Sequence, residues 1–110
     1  MAYTIDYYSE AVQDDILALP DSLAARYIVL TRRIEAVGPN LGPPHTDSFG
    51  DGLFELRLKG QEGIARVFFC TLAGRRVMML HSFVKKTQKT PPRETEIARK
   101  RMKEVKHANS

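Results

Sequence analysis

Between Asp21 and Val37 the apolar residues Leu23, Tyr27, Leu30, Ile34 and Val37 step by four, three, four and three. That spacing lines one face of an α-helix. Asp21 caps its start, and Gly38 followed by Pro39 stops it. Upstream, Ser9 is an N-cap for a shorter helix over Glu10 to Leu19, with Val12, Ile16 and Leu19 on one side and Pro20 ending it. The two helices predict a hairpin with one apolar side, preceded by a short strand over Tyr3 to Tyr7. After Gly52 the period changes from helical to alternating. Phe54, Leu56 and Leu58 fall on one face of a strand and Glu55 and Arg57 on the other. Gly60–Gln61–Glu62–Gly63 reads as a hairpin turn. Ile64 to Leu72 then places Ala65, Val67 and Phe69 opposite Ile64, Arg66 and Phe68. Ala73–Gly74 turns the chain again. Arg76 to Val84 is almost continuously apolar, as expected of a central strand covered on both sides.

Residues 38–52 hold four glycines and three prolines, which predicts a loop. Pro91 and Pro92 open a last helix over Arg93 to Lys106, proline being tolerated in a first turn. Its apolar residues Ile97, Ala98, Met102 and Val105 form one thin stripe beside a wide basic face. The expected fold is α+β with the helices covering one sheet face: an N-terminal strand and a two-helix hairpin packed on a small antiparallel sheet, plus a C-terminal helix. With 110 residues, residues 1–110 make one domain with one modest core.

Composition adds little until charge is located. The chain is 43% hydrophobic and 27% charged, an ordinary globular balance. The single cysteine, Cys70, excludes an intrachain disulfide and fits a buried thiol in a reducing compartment. No segment has the pattern of a signal peptide or the length of a membrane span, so a cytoplasmic protein is expected. The net charge is +4, yet residues 85–110 carry nine Lys/Arg against three Glu, leaving the first 84 residues slightly acidic. A basic C-terminal quarter suits a polyanion or an acidic protein partner; it also suits a plain solvated helix.

The cations in mid-strand change the picture most. Burying an unpaired guanidinium costs several kcal/mol, so Arg57 and Arg66 are expected on the face turned away from the helices. A short turn between their strands brings them close across the ladder. One account is a floor for a phosphate backbone, which arginine binds bidentately at any cellular pH. The other is an ordinary exposed cross-strand pair in which Glu55 neutralises one arginine.

The order "GLFELR", "AR-V-FF" after a tight turn, then "MMLHSFVKKTQKTPP" and a charged terminal helix resembles the RelE/ParE toxin superfamily, over about residues 3 to 105. The likeness is to its HigB-like, phage-derived branch. The resemblance implies a toxin of a type II toxin–antitoxin pair that cleaves mRNA on the ribosome. It would be silenced by a cognate antitoxin of helix-turn-helix, HigA-like type. Carried over by position, the RNA-facing cations are Arg57, Arg66 and Lys86, with Lys85 and Lys89 beside them. The chain departs from the pattern where such enzymes carry a base-stacking aromatic near the C-terminus: no aromatic follows Phe83, which leaves Phe68 as the candidate platform.

Metal-independent RNA cleavage needs a base for the 2′-hydroxyl, cations on the phosphorane oxygens and an acid for the leaving 5′-oxygen. Arg57 and Arg66 are the charge stabilisers. His81 and Glu55 are the titrating candidates, and Lys86, among cations that lower its pKa, is another. Strict alternation would put His81 on the face of Val77, Met79 and Phe83. His45 and His107 look incidental, and three scattered histidines make no metal site. No cofactor is expected. Expected partners are the antitoxin, mRNA and the rRNA of the ribosome, with no membrane. Two other functions fit the same scaffold: ParE-like inhibition of DNA gyrase without hydrolysis, and a non-catalytic interaction module.

Overall fold

In the computed structural model, which describes residues 2–85 and 90–108, the sheet and helices follow one another as expected, with additions. The elements are β1 (Thr4–Tyr7), α1 (Glu10–Leu17), α2 (Asp21–Val37), β2 (Thr46–Ser48), β3 (Leu53–Gly60), β4 (Gly63–Leu72), β5 (Arg76–Lys85) and α3 (Pro92–Ala108). The Ser9 side chain accepts the Val12 amide at 3.1 Å and so caps α1. The strands lie in the order β1-β5-β4-β3-β2. The β3–β4–β5 meander is antiparallel, whereas β1 joins β5 in parallel, so the sheet is mixed. β2 is an antiparallel edge strand within the expected loop.

Both faces of the sheet are covered. On one, Val12, Ile16, Leu23, Tyr27, Leu30 and Ile34 of the first two helices pack on Leu56, Leu58, Val67, Phe69, Val77 and Met79. This is the predicted hairpin face. On the other, Ala98, Met102 and Val105 of α3 pack on Leu53, Phe68, Cys70, Met78 and Leu80. The expectation that all helices share one face is therefore corrected: α3 lies opposite the hairpin. Its thin stripe is enough because it covers only the end of the sheet at Leu53 and Met78. The Arg57–Arg66 end of that face lies beyond it. Cys70 is fully buried in this second core, and burial pushes its thiol up to about 11. No helix among the described residues is long and apolar enough to cross a membrane.

The β3–β4 turn is tied to α2. The Ser22 amide donates to Glu62 Oε1 at 2.8 Å, and the Glu62 amide donates to Ser22 Oγ at 3.2 Å. This exchange satisfies one of the free amides of the α2 first turn, where Pro20 supplies no side-chain cap. The approach leaves no room for a side chain at Gly60, where a Cβ would stand 2.6 Å from Ser22 Oγ and 2.9 Å from its Cβ. The hydroxyl can rotate away, but the Cβ moves only with the backbone. Gly60→Ala is expected to cost about 1–3 kcal/mol through overpacking, read as a lowered midpoint in thermal unfolding.

Candidate functional site

The two-residue turn between Gly60 and Gly63 fixes the register of β3 and β4, and that register sets Arg57 directly opposite Arg66. Like charges in such a pair repel. The adjacent rung resolves the repulsion. Glu55, two residues before Arg57 and on the same face, is almost wholly buried, at 2% side-chain exposure. Its Oε1 accepts Arg66 Nη1 at 2.8 Å and Arg57 Nε at 3.4 Å, and its Oε2 accepts the Thr90 hydroxyl at 3.1 Å. Arg57 Nη2 also reaches Asp47 Oδ2 at 3.0 Å on β2. Two carboxylates thus gather two guanidinium groups, within hydrogen-bond reach of the chain that leads into α3.

The two arginines differ in access. The Arg66 side chain is 11% exposed and that of Arg57 35%. Arg57 therefore presents a charge to solvent, while Arg66 serves largely as the partner of buried Glu55. Arg66 still keeps its buried Nε–H without a hydrogen-bond partner among the described residues. Both accounts drawn from the sequence meet here, since Glu55 does neutralise, yet it is buried and holds both arginines rather than one. Lys85 stands on the next rung, paired with Ile64. Burial first, then Arg66 and Arg57, push its ammonium below its ordinary value, while Glu55 pulls the other way.

His81 lies elsewhere than alternation predicts. A bulge between Phe68 and Phe69 pairs Phe68 with His81 and Phe69 with Met79, so at that step β5 carries one extra residue, Leu80. Val77 and Met79 face the hairpin, whereas His81 turns to the face of Phe68 and of Phe83, which pairs with Arg66. His81 and Glu55 are then separated by the whole of β4, about 10 Å at two interstrand spacings, with Phe68 between them. The His81 ring stands near that of Phe83, and its Nε2 contacts Glu94 Oε1 at 2.7 Å in the first turn of α3. Glu94 thus anchors this ring to the helix.

Phe68, expected as a stacking platform, is fully buried among Phe49, Phe83 and the α3 residues and has no face to offer a base. Lys86 and Lys89 lie outside the described residues. Part of the basic face of α3 is already engaged: Arg99 donates to the Phe49 carbonyl at 3.0 Å, Arg101 to that of Leu80 at 2.8 Å, and Lys106 to that of Asp51. Arg101 also lies over the Tyr8 ring, 4.9 Å from its centroid. These side chains clasp the β2–β3 connection and β5, while Arg93, Lys100 and Lys103 stay exposed.

One feature escaped the sequence. A cleft of about 240 Å³ opens at the edge of β3 beyond β2, where Arg57 and Arg66 form part of the wall. His45, set aside as incidental, lines it together with Arg26 of α2. No periodicity or motif marks either residue, because the loop and α2 meet β3 only in the folded chain. The family described as "Phage derived protein Gp49-like (DUF891)" matches residues 14–103, which include the cleft and every described residue of the arginine site. No curated protein matches the chain.

Proposed function

The chain belongs to the Gp49-like family of phage-derived proteins, a family of RelE-like toxin type, and from that premise we propose that it is the toxin of a type II toxin–antitoxin pair. In this reading it is a HigB-like endoribonuclease that cleaves mRNA on the ribosome, with an antitoxin as its silencing partner. The observation that carries the reading is the Arg57–Arg66 pair, set opposite each other and fixed by one buried carboxylate. Pre-oriented guanidinium groups suit the charge that develops on a phosphorane, since little reorganisation is needed as it forms. Arg57 contacts the phosphate oxygens, and Arg66 holds the site's field and geometry. Lys85, with its lowered pKa and its place on the neighbouring rung, is the proton carrier this geometry favours. Glu55 is spent between two arginines and so is poorly placed to take the 2′-hydroxyl proton. His81 is held by Glu94 on the other side of Phe68.

Induced expression separates this reading from gyrase inhibition. The nuclease predicts arrested translation with mRNA fragments ending in 2′,3′-cyclic phosphate or its hydrolysis product, and co-expressed antitoxin relieves the arrest. An SOS response with intact mRNA would overturn the reading in favour of gyrase. Growth without arrest would overturn it in favour of a non-catalytic module.

A further inference from the structure

We infer that the cleft at the edge of β3 is a subsite for one nucleobase of the RNA chain, next to the phosphate held by Arg57. The inference rests on the nuclease reading and adds to it the element that reading lacks, a place for a base. Phe68 is buried, and no aromatic follows Phe83 in the sequence. The cleft supplies a different surface. Its volume of about 240 Å³ falls below the roughly 300–1,000 Å³ of sites that enclose drug-sized ligands. That is room for a single nucleoside. Ile64 and Pro44 give it an apolar lining over buried Leu58, and half-buried His45 lines it beside Pro44. Imidazole and guanidinium planes both stack on unpaired bases.

Charge points to the same occupant. Every charged residue of the lining is a cation: Arg26 and Lys59 join Arg57 and Arg66. The latter two are matched by Glu55 and Asp47. Arg26 and Lys59 have no ion-pair partner among the described residues and are exposed. An apolar lining with surplus cations at its rim matches a base whose flanking phosphates lie outside. The wall is also preset. The His45 amide donates to the Gly42 carbonyl at 3.0 Å, its carbonyl accepts the Arg57 amide at 2.8 Å, and Thr46 Oγ1 accepts the Gly42 amide at 2.8 Å. The loop carrying His45 is therefore hydrogen-bonded to the strand carrying Arg57.

A 2′-O-methyl RNA hexamer, which cannot be cleaved, tests the subsite by fluorescence anisotropy. Hexamers with one abasic position each are compared on the intact chain and on the folded variants His45→Ala and Arg26→Glu. The expected result is one abasic position that weakens binding to the unaltered protein about tenfold, the loss of one stacked base. That position should make little difference in His45→Ala, and Arg26→Glu should weaken every hexamer. Equal response at all positions, with binding unaffected by either variant, would overturn the proposal. So would adenosine 3′-monophosphate binding as tightly as the hexamer, since the cleft would then serve a free nucleotide. Because the probe is uncleavable, the two readings fail separately. RNA cleavage with hexamer binding indifferent to His45 and Arg26 removes the subsite alone, while the abasic pattern without any cleavage removes the nuclease alone.

Discussion

Glu55→Ala is expected to lower stability by about 3–5 kcal/mol, the cost of stripping one member from a buried charge cluster. The carboxylate it removes is the only acid that touches both members of the directly opposed arginine pair among the described residues. Without it Arg66, at 11% exposure, keeps its charge with no counter-ion among the described residues and little access to water. Arg57 can fall back on Asp47, so the penalty concentrates on Arg66. Urea unfolding measures it, and a loss under about 1 kcal/mol would place the cluster among weak surface pairs. Adding Arg66→Met to Glu55→Leu is expected to recover most of the loss, because a buried pair replaced whole by apolar side chains leaves no orphan charge. Stability would return without the field, so the double variant should fold and stay inactive.

The same residues show which parts of the site can be read from sequence. Arg57 opposite Arg66 followed from two local facts, strand alternation and the two-residue turn between Gly60 and Gly63, and the ladder between them is regular. Neither fact depends on distant parts of the chain. His81 failed the same logic because one extra residue in β5 switches the face of each later residue in the strand, and Leu80 only continues the apolar run from Val77 and gives no sign of a bulge. The burial of Phe68 was hidden for another reason. The stripe of Ala98, Met102 and Val105 says that α3 packs on something, but strand alternation does not say which sheet face receives it. β2 left no trace at all, since Thr46–Asp47–Ser48 has no apolar period. The helices, the meander and the paired arginines are encoded locally. The cleft is encoded only in how the loop and α2 meet the β3 edge.

Arg57→Ala is expected to reduce RNA cleavage by about 10²-fold, as loss of one oriented charge donor does at other sites of this kind. The fold should keep its stability to within about 1 kcal/mol, since the side chain is partly solvated and its pairs with Asp47 and Glu55 are screened. That separation makes Arg57 a cleaner probe than Arg66, whose replacement by alanine strands Glu55 and lowers stability and cleavage together. Arg57→Lys sharpens the test. It retains the charge but loses the planar fork; restored binding with cleavage still depressed would locate the contribution of Arg57 in the transition state, whereas restored cleavage would assign it to general charge alone. Single-turnover cleavage of a short RNA, run beside urea unfolding of each variant, separates these outcomes. If Arg57→Ala cleaves at the rate of the unaltered protein while folding normally, phosphate chemistry at the β3–β4 rung is excluded, and the arginine pair is reduced to holding the sheet together.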